Sequence, residues 1–297
     1  MLITIVAGAR PNFMKVAPII KAIKTAQELG HTIQYRLIHT GQHYDKKMSS
    51  DFFEQLGIPE PDINLEVGSG SQAEQTAAIL VRFERELIDH KTDIVIVVGD
   101  VTSTMACTIA AKKLCVTVVH VEAGIRSGDM TMPEEINRIV TDSICDHFFT
   151  TSEVANQFLR KTGIDDSRIH FVGNTMIDTL MQNLNRLQKP VFWDLLGLEE
   201  NKYFLVTLHR PVNVDSPQNL KGFLDAMAAG TEDFPILFPV HPRTRKNLEL
   251  INYKNERLMQ IDPLGYLEFI YLVKHARAII TDSGVLRKRL LFWTFRA

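Results

Sequence analysis

The sequence predicts an α/β protein made of two doubly wound, Rossmann-like domains. Three observations carry that expectation. Short apolar runs end in glycine or a polar residue, stretches with apolar residues at helical spacing lie between them, and the alternation starts afresh after "GNTMIDTLMQNLNRLQKP", which holds a helix but no strand. Strands alternating with helices build βαβ units and a mostly parallel sheet. The junction divides residues 1–175 from residues 176–297, with a cleft expected between the halves.

The elements follow in order. Met1 to Ala7 is a short apolar run suited to a buried parallel strand. "NFMKVAPIIKAIKTAQELG" has helical spacing and Gly30 as its stop. "IQYRLIHTG" and "TDIVIVVGD" read as strands, "TSTMACTIAAKKL" as a helix and "VTVVHVEAG" as a fourth strand. A helix over "PEEINRIVTDSICD", a strand over "HFFTTS" and a helix over "EVANQFLRKTG" complete the first domain. The second series runs "KYFLVTLHRP", a helix around "NLKGFLDAMAAG", "FPILFPVHP", "RLMQIDP", "YLEFIYLVKHA" and "RAIITDSG".

Composition narrows the function classes. The chain has 297 residues, 45% hydrophobic and 23% charged, as an ordinary globular protein does. A formal charge of −2 gives no footprint for nucleic acid or an anionic membrane. Cys107, Cys115 and Cys145 lie in apolar stretches without metal-ligand spacing and read as reduced core cysteines. No run of eighteen apolar residues and no signal peptide is visible, so a cytoplasmic protein is expected.

Ligand sites in doubly wound sheets lie beyond the carboxyl ends of strands, and the polar oddities of this sequence fall there. In "AGARPNFMK", Arg10 and Lys15 surround a helix start, where they read either as an anion site or as solvated charges. The stretch lacks G-x-G-x-x-G and is no P-loop. Asp100 ends the strand in "VVGDVTST", either as an N-cap or to handle a proton. Glu122 ends the next strand, and Glu134 and Glu135 begin a helix that carries Arg138 one turn on. Carboxylates at a helix start suit its dipole. Several carboxylates in one crevice also suit paired proton transfers, because like charges push their pKa values apart. In the second domain His209 and Arg210, His241 and Arg243, and Asp282, Ser283 and Gly284 recur at strand ends, as an anion site would require. No H-x-x-x-H spacing points to a metal.

Together "GARPNFMKVAPII", "TGQHYDKKM", "VVGDVTST", "HVEAGIRS", "PEEINR", "GNTMIDTL", "TLHRPVNVD", "PVHPRT" and "TDSG", in this order, resemble the non-hydrolysing UDP-N-acetylglucosamine 2-epimerases. The resemblance implies the glycosyltransferase-B fold and reversible conversion of UDP-GlcNAc to UDP-ManNAc through a 2-acetamidoglucal intermediate. It implies no cofactor and no metal, a supply line to cell-envelope polysaccharide, and a homodimer as the expected assembly. By motif match Asp100, Glu122 and Glu134 form the acid/base set and His209 helps UDP depart. Arg10 and Lys15 bind nucleotide or phosphate, Arg138 orients the acidic group, and Phe269 lines the uridine site. Arg210, Asp282, Ser283 and Gly284 fall in the substrate-binding stretches. Gln42, His43 and His241 match positions that hold a second, activating UDP-GlcNAc in some members. Competing readings are a glycosyltransferase, a hydrolysing relative and a non-catalytic UDP-sugar-binding remnant.

The chain departs from the family at its end. Val212 stands where Glu is common, and Val285 follows Gly284 where the family continues "DSGG-x-x-EE". "LRKRLLFWTFRA" reads either as a terminal amphipathic helix or as a frameshift product after about residue 286. One added base in a permitted codon choice converts it to "LQEETTVLDIPC", the family's continuation. On that reading the second domain is incomplete and turnover is weak or absent. The nucleotide sequence of the locus is expected to show a missing base near the Leu286 codon; an unbroken native frame there removes the frameshift reading.

Overall fold

The structure, a computed structural model, describes residues 1–41, 53, 55–208, 210–231 and 233–282, with Arg10, Pro211 and Arg243 described by backbone alone. The chain divides into two compact units, Met1–Met181 and Gln182–Ala297. The helix Thr175–Asn183 carries the divide.

Among the described residues the first unit holds seven strands: β1 (Leu2–Ala7), β2 (Gln34–His39), β3 (Ile63–Asn64), β4 (Ile94–Val98), β5 (Thr117–Val121), β6 (His147–Thr150) and β7 (Ile169–Phe171). They lie side by side in the order β3-β2-β1-β4-β5-β6-β7, each pair parallel. The second unit has β8 (Phe204–Thr207), β9 (Ile236–Pro239), β10 (Leu258–Ile261) and β11 (Ala278–Thr281) in the order β10-β9-β8-β11, also parallel. Both sheets start in the middle, wind outward one way and then cross back. The two units are therefore Rossmann-like, each with a switch point beside its first strand.

Continuous apolar runs make central parallel strands because helices cover both sheet faces. In β4, Val95, Ile96, Val97 and Val98 are all buried, and Val95 and Val97 share a core with Phe83, Ile79, Cys107 and Phe148. In the second unit Tyr203, Leu205 and Leu237 pack with Trp193 and Leu272, while Val206 and Phe238 pack with Leu220 and Leu224. Full burial of one such side chain contributes about 1.5–3 kcal/mol.

The helix Arg10–Glu28 contains Pro18. Proline has no N–H to give the carbonyl four residues back, which is that of Met14. The Thr179 hydroxyl donates to the Met14 carbonyl instead, tying the last helix of the unit to the first. The helix ends at Glu28, and Gly30 turns away with φ +89°.

Among the described residues several elements escaped the sequence reading, the helix Pro242–Leu250 and the short helices Phe192–Leu195 and Pro211–Val214 among them. Strands β3 and β7 are two and three residues long, too short for an alternation signal. The helix Gln72–Asp89 opens with a Ser71/Glu74 capping box, whose signal is present in "SQAE". Cys107 and Cys145 are buried core thiols as expected, whereas Cys115 is exposed, in a turn at φ +59°. Among the described residues no helix is long and apolar enough to cross a membrane.

Gly124 combines φ +76° with a crowded site, where an added Cβ would meet the Ala155 carbonyl at 2.7 Å. Gly163 has φ +88° and open space. Gly163→Ala is expected to cost about 1–2 kcal/mol, the left-handed backbone term alone. Gly124→Ala should cost about 1–3 kcal/mol more because of overpacking. Urea unfolding followed by circular dichroism measures both, and equal losses would remove packing as the reason for Gly124.

Candidate functional site

At the switch point of the first sheet three turns converge, after β1, β4 and β5. Asn12, 2% exposed in the first turn of its helix, joins two of them. Its Oδ1 accepts from the backbone N–H of Ala9 at 3.0 Å and of Gly8 at 3.3 Å, and its Nδ2 donates to the Val98 carbonyl at 2.8 Å. Gly8 is required by close approach, since a Cβ there would lie 2.2 Å from Ser103 Oγ.

Gly99 has φ +74°, and an added Cβ would sit 2.7 Å from Lys15 Nζ and 3.7 Å from Glu122 Oε2. Lys15 is buried and pairs with Glu122, itself half-buried. Glu122 takes φ +69°, a conformation costing a non-glycine residue about 1–2 kcal/mol. Its N–H and that of Ala123 both donate to the Phe149 carbonyl, at 2.9 and 3.2 Å, and hold it there.

Asp100 pairs with Arg138. It does not cap the following helix: Val101 is the N-cap and supplies no side-chain bond. Arg138 also donates to Glu135 at 3.0 Å. Glu135 is 2% exposed and accepts from Ser127 N at 2.9 Å, Ser127 Oγ at 3.0 Å and Gly128 N at 3.1 Å. Burial pushes its pKa up, but these donors and Arg138 outweigh burial and hold it below the usual carboxylate range. Glu134 makes no hydrogen bond or ion pair among the described residues, so the helix start turns Glu135, not Glu134, into the network.

Behind these turns lies a second, fully buried pair. His120 Nδ1 is 2.6 Å from Asp142 Oδ1, and its Nε2 is 2.8 Å from the Gly99 carbonyl. Asp142 Oδ2 accepts from Gly124 N at 3.0 Å and pairs with Arg126 at 2.7 Å. Burial raises the Asp142 pKa, but His120 and Arg126 more than reverse it.

In the second unit Asp282 Oδ2 accepts from Arg210 N and Asn213 Nδ2, each at 2.9 Å, and Arg210 Nε donates to the Asp282 carbonyl at 3.1 Å. The Thr207 and Thr281 hydroxyls meet at 2.7 Å. A cavity of about 480 Å³ opens beside them, with Thr207, Pro239, His241, Thr244, Leu264 and Phe269 on its walls. That size and mostly apolar lining suit a small-molecule site.

Of the residues singled out from sequence, Lys15, Asp100, Glu122 and Arg138 come together in the first unit. Arg210 with Asp282 and His241 with Phe269 come together in the second. Gln42, His43, His209, Ser283, Gly284 and the terminal stretch lie outside the described residues, as does the Arg10 side chain. Asn12, His120 and Asp142 were not assigned to the site, and Glu135 was singled out only together with Glu134. A polar residue inside the apolar run "VTVVHV" was the one signal for His120. Among the described residues no three His, Cys, Asp or Glu side chains gather as a metal site.

The family described as UDP-N-acetylglucosamine 2-epimerase matches residues 26–289. The UDP-N-acetylglucosamine 2-epimerase of Methanocaldococcus jannaschii is 41% identical over 295 residues, covering 96% of this chain and 79% of the relative. The UDP-2,3-diacetamido-2,3-dideoxy-D-glucuronate 2-epimerase of Pseudomonas aeruginosa is 39% identical, covering 99% and 81%. A crystal structure of the M. jannaschii UDP-GlcNAc 2-epimerase in complex with UDP-GlcNAc and UDP superimposes with a TM-score of 0.84 at 40% identity, covering 97% of this chain and 81% of that one.

A depressed folded-state pKa stabilises the fold above the ordinary Glu value of about 4.3, and that stabilisation fades as pH falls through the folded value. Glu135→Gln is therefore expected to cost about 1.5–3 kcal/mol at pH 7, with a gap to the parent protein that narrows below about pH 4.3. Urea unfolding from pH 7 down to pH 3.5 checks this; an undiminished gap in acid contradicts it.

Proposed function

The chain belongs to the UDP-N-acetylglucosamine 2-epimerase family, and we propose that it inverts C2 of the sugar in UDP-GlcNAc, interconverting it with UDP-ManNAc. The observation that carries this reading is the pairing of Lys15 with Glu122 and Arg138 with Asp100 at one sheet edge. Inversion needs a proton taken from one side of C2 and another delivered to the opposite side. Two carboxyl groups with separate partners suit that division of labour.

The C2 proton is weakly acidic because no carbonyl adjoins it, so a leaving group must depart with it. A carboxylate takes the proton, the C–H electron pair becomes the C1=C2 bond of a 2-acetamidoglucal, and the C1–O bond breaks to release UDP. In the return step a UDP oxygen re-forms the C1–O bond while C2 accepts a proton on its other side. Asp100, Glu122 and Glu134 are the acid/base set of this reading, and Arg138 orients Asp100. Lys15 and Arg10 neutralise charge on the diphosphate, the larger electrostatic task. His209 assists the departure of UDP.

The second unit binds the nucleotide on this reading. Phe269 offers a flat face to the uracil, and Thr207 brings a hydroxyl to the same cavity. Arg210, Asp282, Ser283 and Gly284 are substrate-binding residues of this reading. His241 shares the cavity with Phe269, which supports giving it to the nucleotide there; Gln42 and His43 remain with a second, activating UDP-GlcNAc. A cytoplasmic homodimer completes the reading.

Incubation with UDP-GlcNAc in deuterated water tests it. Deuterium at C2 and formation of UDP-ManNAc are expected, with Asp100→Asn and Glu122→Gln each lowering kcat by about 10²–10⁴-fold. Binding of UDP without C2 exchange would leave a binding module, and free ManNAc a hydrolysing enzyme. Sugar transfer to an acceptor would mean a glycosyltransferase. Labelling of only the 2,3-diacetamido uronate would move the substrate toward that of the P. aeruginosa relative.

A further inference from the structure

The His120–Asp142 pair is absorbed by no step of the reaction, yet it grips both turns that carry the paired carboxylates. The Gly99 carbonyl belongs to the peptide group that leads into Asp100. It faces His120 Nε2 at 2.8 Å, while the carbonyl of Asp100 itself accepts from Asn137 Nδ2 at 2.9 Å. The peptide planes on either side of Asp100 are thus both held from behind. On the other side of the ring, Asp142 Oδ1 meets Nδ1 at 2.6 Å, and Asp142 Oδ2 accepts from Gly124 N at 3.0 Å, closing the turn that starts at Glu122. His120 is 0% exposed and Asp142 4% exposed, so neither group exchanges these bonds for water.

We propose that His120 is a positioning residue for the epimerisation, bridging the Gly99 carbonyl and the Asp142 carboxylate so that the Asp100 and Glu122 turns keep one fixed geometry. Each ring nitrogen faces a hydrogen-bond acceptor, the Gly99 carbonyl at one end and the Asp142 carboxylate at the other. Burial of a side chain with this much hydrogen-bonding capacity is favourable only when every polar atom is satisfied. Gly99 and Gly124 have positive φ and no side chain of their own to brace them; the bridge holds the Gly99 carbonyl and the Gly124 N–H, while the Gly99 N–H donates to the Val121 carbonyl at 2.9 Å. A misplacement of about 1 Å in a catalytic group can cost about 10²-fold in rate. The inference rests on the proposed reaction, since it assigns Asp100 and Glu122 their importance.

Three substitutions separate the two ends of the bridge. In His120→Gln the amide nitrogen takes the place of Nε2 and still reaches the Gly99 carbonyl. In His120→Asn it takes the place of Nδ1, reaches Asp142, and abandons Gly99. In Asp142→Asn the ring can accept at Nδ1 and still donate to Gly99 from Nε2. The expected order of kcat is parent, then His120→Gln and Asp142→Asn within about fivefold, then His120→Asn lower by about 10–100-fold, with KM changed less than about threefold throughout. Hydrogen exchange of the backbone around Asp100 should rise most in His120→Asn. A kcat order that follows urea stability instead, or a His120→Asn variant with parental kcat, overturns the proposal. If the parent shows no turnover, the proposed reaction fails by itself. The exchange ranking then decides the bridge: faster exchange around Asp100 in His120→Asn alone supports it, and equal exchange in all three variants overturns it.

Discussion

Charge held at a sheet edge without full access to water is the constraint on which the first unit is organised. An ion taken out of water costs several kcal/mol unless a partner and further hydrogen bonds compensate. Lys15 is buried, and its ion-pair partner is Glu122. Arg138 spans Asp100 and Glu135. Glu135, with four bonds from donors of the 127–128 turn and Arg138, is the anchor of that chain, and Asp100 is its more exposed end. Backbone conformations that are unfavourable alone, such as the positive φ of Glu122, persist because this surrounding network over-determines them.

The glycines follow from the same constraint. Gly8 admits Ser103, and Gly99 admits Lys15, at distances no side chain would tolerate. Each allows a charged or hydroxyl-bearing element to reach the carboxyl end of a central strand. Asn12 then ties the β1 and β4 turns by serving both as acceptor and as donor. The sheet order places these turns side by side, because the chain reverses its winding between β1 and β4.

The cavity of the second unit is organised differently. It is walled largely by apolar groups, with Thr207, Asp215, Thr244 and His241 as polar points. Asp282 is spent on its own neighbourhood, holding Arg210 and Asn213 across the ends of β8 and β11. A parallel strand pair joined this way presents a pre-ordered turn, which lowers the entropy lost when a ligand is bound.

Fold class was legible in the sequence because buried parallel strands must be continuous apolar runs, and "IVIVV" in β4 or "FLVT" in β8 admits few other readings. Strand-end polar residues were legible for the same reason: Asp100, Glu122 and Arg210 follow such runs within three residues. The two-residue β3 and three-residue β7 were not, since their pairing is created by neighbours rather than by their own pattern. Nor could spacing decide between Glu134 and Glu135, adjacent residues that a helix separates by about 100° of rotation. Only packing of the helix Pro133–Ile144 against the 127–128 turn selected Glu135 for the interior. The His120–Asp142 bridge likewise joins residues from a strand and a distant helix. Sequence alone determined which residue types end each strand; the tertiary structure decided who pairs with whom, because hydrogen bonds and ion pairs depend on distance in space.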